Sequence, residues 1–457
     1  MRWTGRIGAA VLAMGLALPA QAETLADALI AAYRNSNLLD QNRAVLRAAD
    51  EGVAQAVASL RPTVTVGLGA NWVRTPAPAS LGIPGRVESL TGSLDLTAQL
   101  TVLDFGRGKL AKDAARESVM ATREALVDVE QSVLLQAVQA YVNVKLSQEI
   151  LALRQSNVRL ITQELRAAQD RFEVGEITRT DVAIAEARLA SARSSLAAAE
   201  GDLMVARETY KLAVGRYPGN LAPLPAAPRT ARSLDEARGV ALRTHPAIKQ
   251  AQRESTLADI NVARAKADMR PTVTARATMG LESGGDRTDS VGLSLNQTLY
   301  AGGRLNSLYR TALARRDGAK AALLQTTALV DQGLGNAWAN LSVADASIQA
   351  GDLQVRSAQT AFEGVREEAR LGARTTLDVL NAEQELLSAR VTRVSAGAER
   401  YISVYALLSS MGLLTVDHLK LGIPTYDPEG YYNAVRNAPA MSAQGKKLDR
   451  ILKTIGD

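Results

Sequence analysis

Side chains able to carry covalent or metal chemistry are scarce in this chain. Its 457 residues include no cysteine and only two histidines, His245 and His418, far apart in sequence. Disulfides, a thiolate metal site and a lipidated N-terminal cysteine are thereby excluded, and nucleophilic catalysis has little to build on. Two segments imitate enzyme motifs. Asp104-Phe105-Gly106 has the form of a kinase magnesium motif, but no lysine-bearing strand or catalytic loop accompanies it, and its counterpart Ala301-Gly302-Gly303 lacks the acid. Gly67-Leu68-Gly69 falls inside a strand pattern, without the helix start that a dinucleotide fingerprint requires. The expectation is a protein that is not an enzyme and has no cofactor, catalytic residue or metal site.

The acids and bases that recur do so at turns. Val174-Gly175-Glu176-Ile177-Thr178-Arg179-Thr180-Asp181-Val182 returns as Leu371-Gly372-Ala373-Arg374-Thr375-Thr376-Leu377-Asp378-Val379. Leu60-Arg61-Pro62-Thr63-Val64-Thr65 likewise returns as Met269-Arg270-Pro271-Thr272-Val273-Thr274. The offset is 197 residues for the first pair and 209 for the second, so one copy carries 12 extra residues in between. A long-period repeat fixes architecture before any single residue does.

The chain begins with Arg2 and Arg6, an apolar run over residues 7–18 and Ala20-Gln21-Ala22, the pattern of a secretory leader cleaved before Glu23. The apolar run is too short for a membrane span, which takes ~20 residues. Without the two leader arginines the charge is 51 basic against 47 acidic residues, with no basic block to suggest nucleic acid. Aromatic residues make up only 4%. Aromatic-poor, alanine-rich helices pack closely side by side, as in long coiled coils.

Prolines are absent between residues 85 and 217 and again between 272 and 423, so both windows hold long helices. Residues 109–173 read as one helix of roughly 100 Å at 1.5 Å per residue. Val133, Ala137, Ala140, Val144, Ser147, Leu151, Arg154, Val158, Ile161, Leu165 and Ala168 follow the four-and-three steps of a coiled-coil seam. Gly175 ends that helix, and Thr178 or Thr180 caps a return arm with the seam Val182, Ala185, Leu189, Ala192, Leu196, Ala199, Leu203, Ala206 and Tyr210. The second copy runs over 304–371, turns at Gly372 and returns over 377–411. Return arms are about half as long as outgoing ones, so helical segments 38–60 and 246–269 are expected to stack on them.

Between the helices the period changes to two. Val64, Val66, Leu68, Ala70 and Trp72 form one alternating set, and Leu94, Leu96, Ala98, Leu100 and Val102 another. Val273, Ala275, Ala277, Met279 and Leu281, then Val291, Leu293, Leu295 and Leu299, repeat the pattern. Four strands of about ten residues are long enough to cross a membrane tilted. The loops are placed at 74–87 and 282–289. Four strands leave two open edges, which lipid does not permit, so a barrel must close by oligomerisation. Eight strands would be filled by their own side chains, so a conducting assembly needs three or four copies.

The predicted organisation is α+β: a leader over 1–22, a first repeat over 23–217 and a second over 231–414, joined by a linker at 218–230. The first repeat holds a β-hairpin at 62–104 and a helical hairpin at 107–215 with its tip near 175. The second holds a β-hairpin at 271–300 and a helical hairpin at 303–412 with its tip near 372. A tail over 415–457, equatorial or disordered, carries a basic amphipathic stretch at 446–453. The same elements also allow a periplasmic coiled-coil adaptor or structural protein with a soluble β-domain.

The two tips, with Arg171-Phe172-Glu173 before the first, Glu186-Ala187-Arg188 after it and Leu380-Asn381-Ala382-Glu383 after the second, resemble those of TolC-type outer membrane efflux proteins. The similarity covers about residues 23–414. It implies a homotrimer whose twelve strands form an outer-membrane β-barrel in contact with lipid, continued by a twelve-helix periplasmic α-barrel. It further implies a passive exit duct for efflux or type I secretion, with a periplasmic adaptor (membrane fusion) protein and an inner-membrane pump of RND or ABC type as partners. Matched residue by residue, the resemblance makes Asp181 and Arg374 a gate latch and places Asp378 and Asn381 at the constriction ring. In the family the Asn381 position is a second aspartate, and a gate tyrosine stands where this chain has Ala369. Val174, Gly175, Thr178, Leu371, Gly372 and Thr375 are the expected adaptor-docking residues.

Overall fold

The computed structural model describes residues 22–76, 86–438 and 450. The expected leader therefore lies outside the described residues except for Ala22, as does nearly all of the basic stretch at 446–453. In chain order the elements are α1 (Leu25–Asn35), α2 (Asn37–Ala58), β1 (Thr63–Pro76), β2 (Arg86–Leu103), α3 (Arg107–Glu173) and α4 (Arg179–Val214). The second copy gives α5 (Leu234–Thr244), α6 (Pro246–Ala267), β3 (Thr272–Glu282), β4 (Arg287–Asn296), α7 (Arg304–Arg370) and α8 (Thr376–Ser410), followed by α9 (Pro428–Val435).

The duplication extends further than the motifs indicated. Helices α1 and α5 both have 11 residues, α2 and α6 both 22, and α3 and α7 both 67. Sequence reading missed α1 and α5 because an 11-residue helix spans barely three turns, too few to display a period. Their starts, Leu25 and Leu234, are nevertheless separated by the same 209 residues as the strand motifs.

The chain divides into two compact units, each drawing on both repeats. Among the described residues one comprises 22–35, 136–228 and 344–402, the other 36–76, 86–135, 229–343 and 403–438. In the first, the α4 seam is buried as expected at Ala185, Leu189, Ala192, Ala199, Leu203, Ala206 and Tyr210. Glu23, the expected first residue of the mature chain, is held there by three groups. Its carboxylate accepts from the Tyr210 hydroxyl and from Arg216, each at 2.8 Å, and its carbonyl lies 2.9 Å from the Tyr141 hydroxyl. The Asn35 side chain caps the end of α4 by donating to the Val214 carbonyl at 3.2 Å.

The second unit contains an antiparallel sheet in the order β1-β2-β3-β4. Its register sets Val64 opposite Ala98, Ala98 opposite Ala277 and Ala277 opposite Val291, and the next row runs Val66, Leu96, Met279. This face is apolar on β1, β2 and β3 and on β4 from Val291 to Leu295, and it ends at the β4 start in Asp289 and Arg287, which face Met279 and Leu281 and pair with each other at 3.0 Å. The other carries Thr65, Thr97, Thr278 and Ser290 in a single row. Three details depart from the expected strands. β1 and β2 have 14 and 18 residues, since pairing extends into the segment read as loop, where Arg74 meets Glu88 at 3.0 Å. A bulge at Val102 interrupts the alternation of β2, and Leu299 lies past the end of β4, whose partner strand begins opposite Asn296.

Residues 415–438 of the tail are packed against the helices of this unit. Tyr426 and Tyr432 join Leu46, Val53 and Val119, while Val435 and Ala438 cover Ala54. Tyr431 donates to Glu51 at 2.7 Å, and Arg123 lies over the Tyr432 ring and donates to the Pro428 carbonyl. Beneath this segment Asp50 is wholly buried, with neither carboxylate oxygen hydrogen-bonded. Burial lifts its carboxyl to about 6, against the pull of Arg123 and with the help of Glu51. A carboxyl raised on folding favours the folded state while it stays protonated, and that contribution is lost as pH rises towards 6. Asp50→Asn should therefore stabilise the protein above pH 6 by about 1 kcal/mol or more, the gain fading below pH 4. Unfolding midpoints measured across that range check it.

Candidate functional site at the hairpin tips

Both tips are built by the same backbone device. At the first, the Gly175 amide bonds to the Phe172 carbonyl at 3.0 Å and the Glu176 amide to the Arg171 carbonyl at 2.9 Å; at the second, Gly372 and Ala373 bond to Ala369 and Glu368 in the same pattern. This helix ending needs a left-handed residue, and Gly175 and Gly372 supply it with φ of 81° and 79°. Each return helix then opens on a reciprocal cap. The Asp181 carboxylate accepts from the Thr178 amide and hydroxyl at 3.0 and 2.8 Å, and Asp378 accepts from Thr375 at the same distances. Of the two threonines proposed to cap the first return arm, Thr178 is the one that does so. These hydrogen bonds hold both aspartates below the usual carboxylate range, with smaller help from Arg171 and Arg374 respectively.

The expected latch residues line one cavity of about 950 Å³ together with Glu164, Arg171, Arg366 and Thr376. Each has another partner: Asp181 is capped by Thr178, and Arg374 pairs with Glu368 at 2.9 Å. Asn381, at the expected constriction, accepts from Arg188 of α4 at 2.9 Å. Ala369 is buried with Phe362, Val379 and Leu386, so the position of the family tyrosine is filled here by an apolar contact. The six expected docking residues are all exposed, Val174 to 72% and Leu371 to 85%.

Sequence reading missed how differently the two hairpins are held. Arg400 meets Asp345 at 2.5 Å, Arg393 meets Asp352 at 2.8 Å, and Arg390 donates to Gln359 at 2.6 Å, making a ladder of heptad steps along α7. Under the 197-residue offset Asp345 and Asp352 become Gln148 and Gln155, while Arg400 and Arg393 become Leu203 and Leu196. Half-exposed ion pairs contribute ~0.2–1 kcal/mol each, a buried leucine ~1.5–3. Over this stretch the second hairpin is thus the more salt-sensitively joined, while nearer the tip Phe362, Ala369, Val379 and Leu386 still bury an apolar cluster between its arms. The seven-residue spacing of Asp345, Asp352 and Gln359 was the signal available for finding it.

A sheet with an exposed apolar face, two long helical hairpins and paired capped tips are the features of a channel-forming outer membrane protein built by duplication. The family profile of outer membrane efflux proteins matches residues 29–216 and 238–413, and the chain belongs to that family. It is 36% identical over 441 residues to the outer membrane efflux protein BepC of Brucella suis biovar 1, covering 94% of this chain and 95% of that one. It is 25% identical to the outer membrane protein TolC of Escherichia coli K12, over 89% and 85% of the two chains. Among solved structures it resembles CusC, described in terms of folding and transmembrane channel formation, with a TM-score of 0.77 and 20% identity over 86% of this chain and 92% of that.

Removing a cap should loosen its tip. Thr178→Ala is expected to weaken the start of α4 by about 0.5–2 kcal/mol, with faster amide exchange confined to the first turn. A depressed carboxyl stabilises the fold above its ordinary pKa and stops doing so as pH falls through its folded value, so wild-type tips should fray only in acid. Exchange measured across pH on both proteins checks this.

Proposed function

We propose that three copies of this chain close a twelve-stranded barrel in the outer membrane and continue it into the periplasm as a passive exit duct of an efflux or type I secretion system. The sheet carries the reading. Its apolar face is open, with Leu68 82% and Val291 88% exposed, and its outer strands β1 and β4 each lack one neighbour. In lipid each unpaired backbone group costs several kcal/mol, so this sheet has no stable existence there as a single copy. Neighbouring copies pair β4 with β1 and remove both edges. No enzymatic step is assigned to the chain. An outer-membrane oligomer that survives detergent cold and falls to single chains on heating is the expected behaviour, and a salt-extractable soluble protein would support the adaptor reading instead.

The tips form the gate and the docking surface. Arg374 pairs with Glu368 and lies within electrostatic reach of Asp378, and Asp181 of the first tip lines the same cavity. Exchange of Glu368 for Asp181 as tips converge is the latch, worth only ~0.2–1 kcal/mol per exposed pair and so releasable by a docking partner. Asp378 gives a trimer three converging carboxylates at the constriction, with Asn381 adding no charge. The exposed tip residues Val174, Gly175, Thr178, Leu371, Gly372 and Thr375 receive the periplasmic adaptor, which recruits the inner-membrane pump. In planar bilayers Asp181→Ala with Arg374→Ala should raise conductance, and Asp378→Asn should shift the reversal potential towards lower cation preference. Unchanged values would remove the latch and the ring respectively.

A further inference from the structure

A second acid–amide contact lies along the same hairpins, set apart from the tips and their exposed charges. Glu383 of α8 is 6% exposed and Asn157 of α3 is 4% exposed, and the Asn157 amide donates to Glu383 Oε1. Oε2 of Glu383 is buried with no hydrogen-bond partner. The position is only two residues beyond Asn381 and five beyond Asp378. The duplication supplies a comparison: offset by 197 residues, Glu383 becomes Glu186 and Asn157 becomes Gln354, both exposed. An acid kept in water in one hairpin is thus buried against α3 in the other.

A buried carboxylate oxygen without a donor is far more costly than a buried hydroxyl without an acceptor. The charges nearby relieve it only in part. From α3 come Arg154 and Glu164, of opposite sign, and Glu164 is engaged by Arg366 of α7 at 3.6 Å. Arg390 of α8 is committed to Gln359, and Arg188 of α4 to Asn381. We propose that a proton on Glu383 fastens α8 to α3, and that its loss releases the second hairpin, making Glu383 a positioning residue for the gate. The consequence for conduction rests on the gate reading above. Burial pushes this carboxyl above the usual glutamate range, Asn157, Arg390 and Arg154 opposing and Glu164 assisting. A raised carboxyl gives a contact that is complete below the ordinary value of ~4.3 and weakens as pH rises through the folded one. The tip aspartates are shifted the other way and titrate at lower pH.

The test combines amide exchange over residues 155–160 and 380–386, corrected for its intrinsic pH dependence, with conductance of the same protein in planar bilayers. From about pH 5 to about pH 8 wild-type protection should fall ~10-fold and conductance should rise. Glu383→Gln keeps an acceptor for Asn157 and cannot ionise, so both quantities should become flat at their acid values. Asn157→Asp, which places two carboxyls on one proton, should move the midpoint upward by about 1 pH unit or more. Protection that is flat in the wild type, or that falls equally in Glu383→Gln, overturns the proposal. Protection that responds in the wild type alone while conductance stays constant upholds the fastening and counts against the gate.

Discussion

The constraint on which this structure depends is that lipid offers no hydrogen bonds. Four strands in the order β1-β2-β3-β4 satisfy one another internally and leave a row of backbone groups bare on each outer strand. A soluble protein would cover or charge those edges. Here the face between them is apolar from Val64 through Ala98 and Ala277 to Val291, so the sheet is suited to lipid and incomplete in it. Oligomerisation is therefore a condition of the membrane fold rather than an addition to a finished subunit.

Duplication makes such an oligomer economical. Each repeat contributes two strands, one short and one medium helix, and a 67-residue helix with its return arm. Identical lengths at α1 and α5, α2 and α6, α3 and α7 mean that apolar seams recur at the same heights in both copies. Twelve extra residues in one copy are tolerated because they fall in the β-hairpin, away from the helical register. An insertion of that size inside α3 would have rotated every later seam position, whereas a loop absorbs it at little cost in closure entropy.

Much of this was legible because it was periodic. The long helices, their turns at Gly175 and Gly372 and the four strands followed from proline-free windows, a 3.5-residue seam and strict alternation. What stayed hidden were features set by a partner distant in sequence. The extension of β1 and β2 past Arg74 depends on Glu88 across the hairpin, and the packing of α9 depends on α2, some 370 residues earlier. Site residues divided the same way. Asp181 and Asp378 were found from local repetition, and their caps are local; that Asn381 accepts from Arg188, 193 residues away, could not be read from spacing, and even the local pair of Arg374 with Glu368 was hidden because a long side chain chooses among several neighbours.

The two hairpins share one backbone plan and differ in what joins their arms, and that difference gives a direction to any movement. The first buries Leu189 and Leu203 and half-buries Leu196, and separating its arms would expose apolar surface at ~25 cal/mol per Å². In the second, Asp345, Asp352 and Gln359 meet arginines at half-exposed positions, so parting the arms there exchanges polar contacts for water at little net cost, and the apolar cost is confined to the cluster of Phe362, Ala369, Val379 and Leu386 nearer the tip. Over residues 345–359 the second hairpin is therefore the one whose hold salt can loosen. Its capped turn travels as a unit, because the Gly372 ending and the Thr375–Asp378 cap are satisfied within the tip and need no neighbour. What resists that motion must come from contacts between hairpins, and the buried bond between Asn157 and Glu383 is one whose strength water can change by taking a proton.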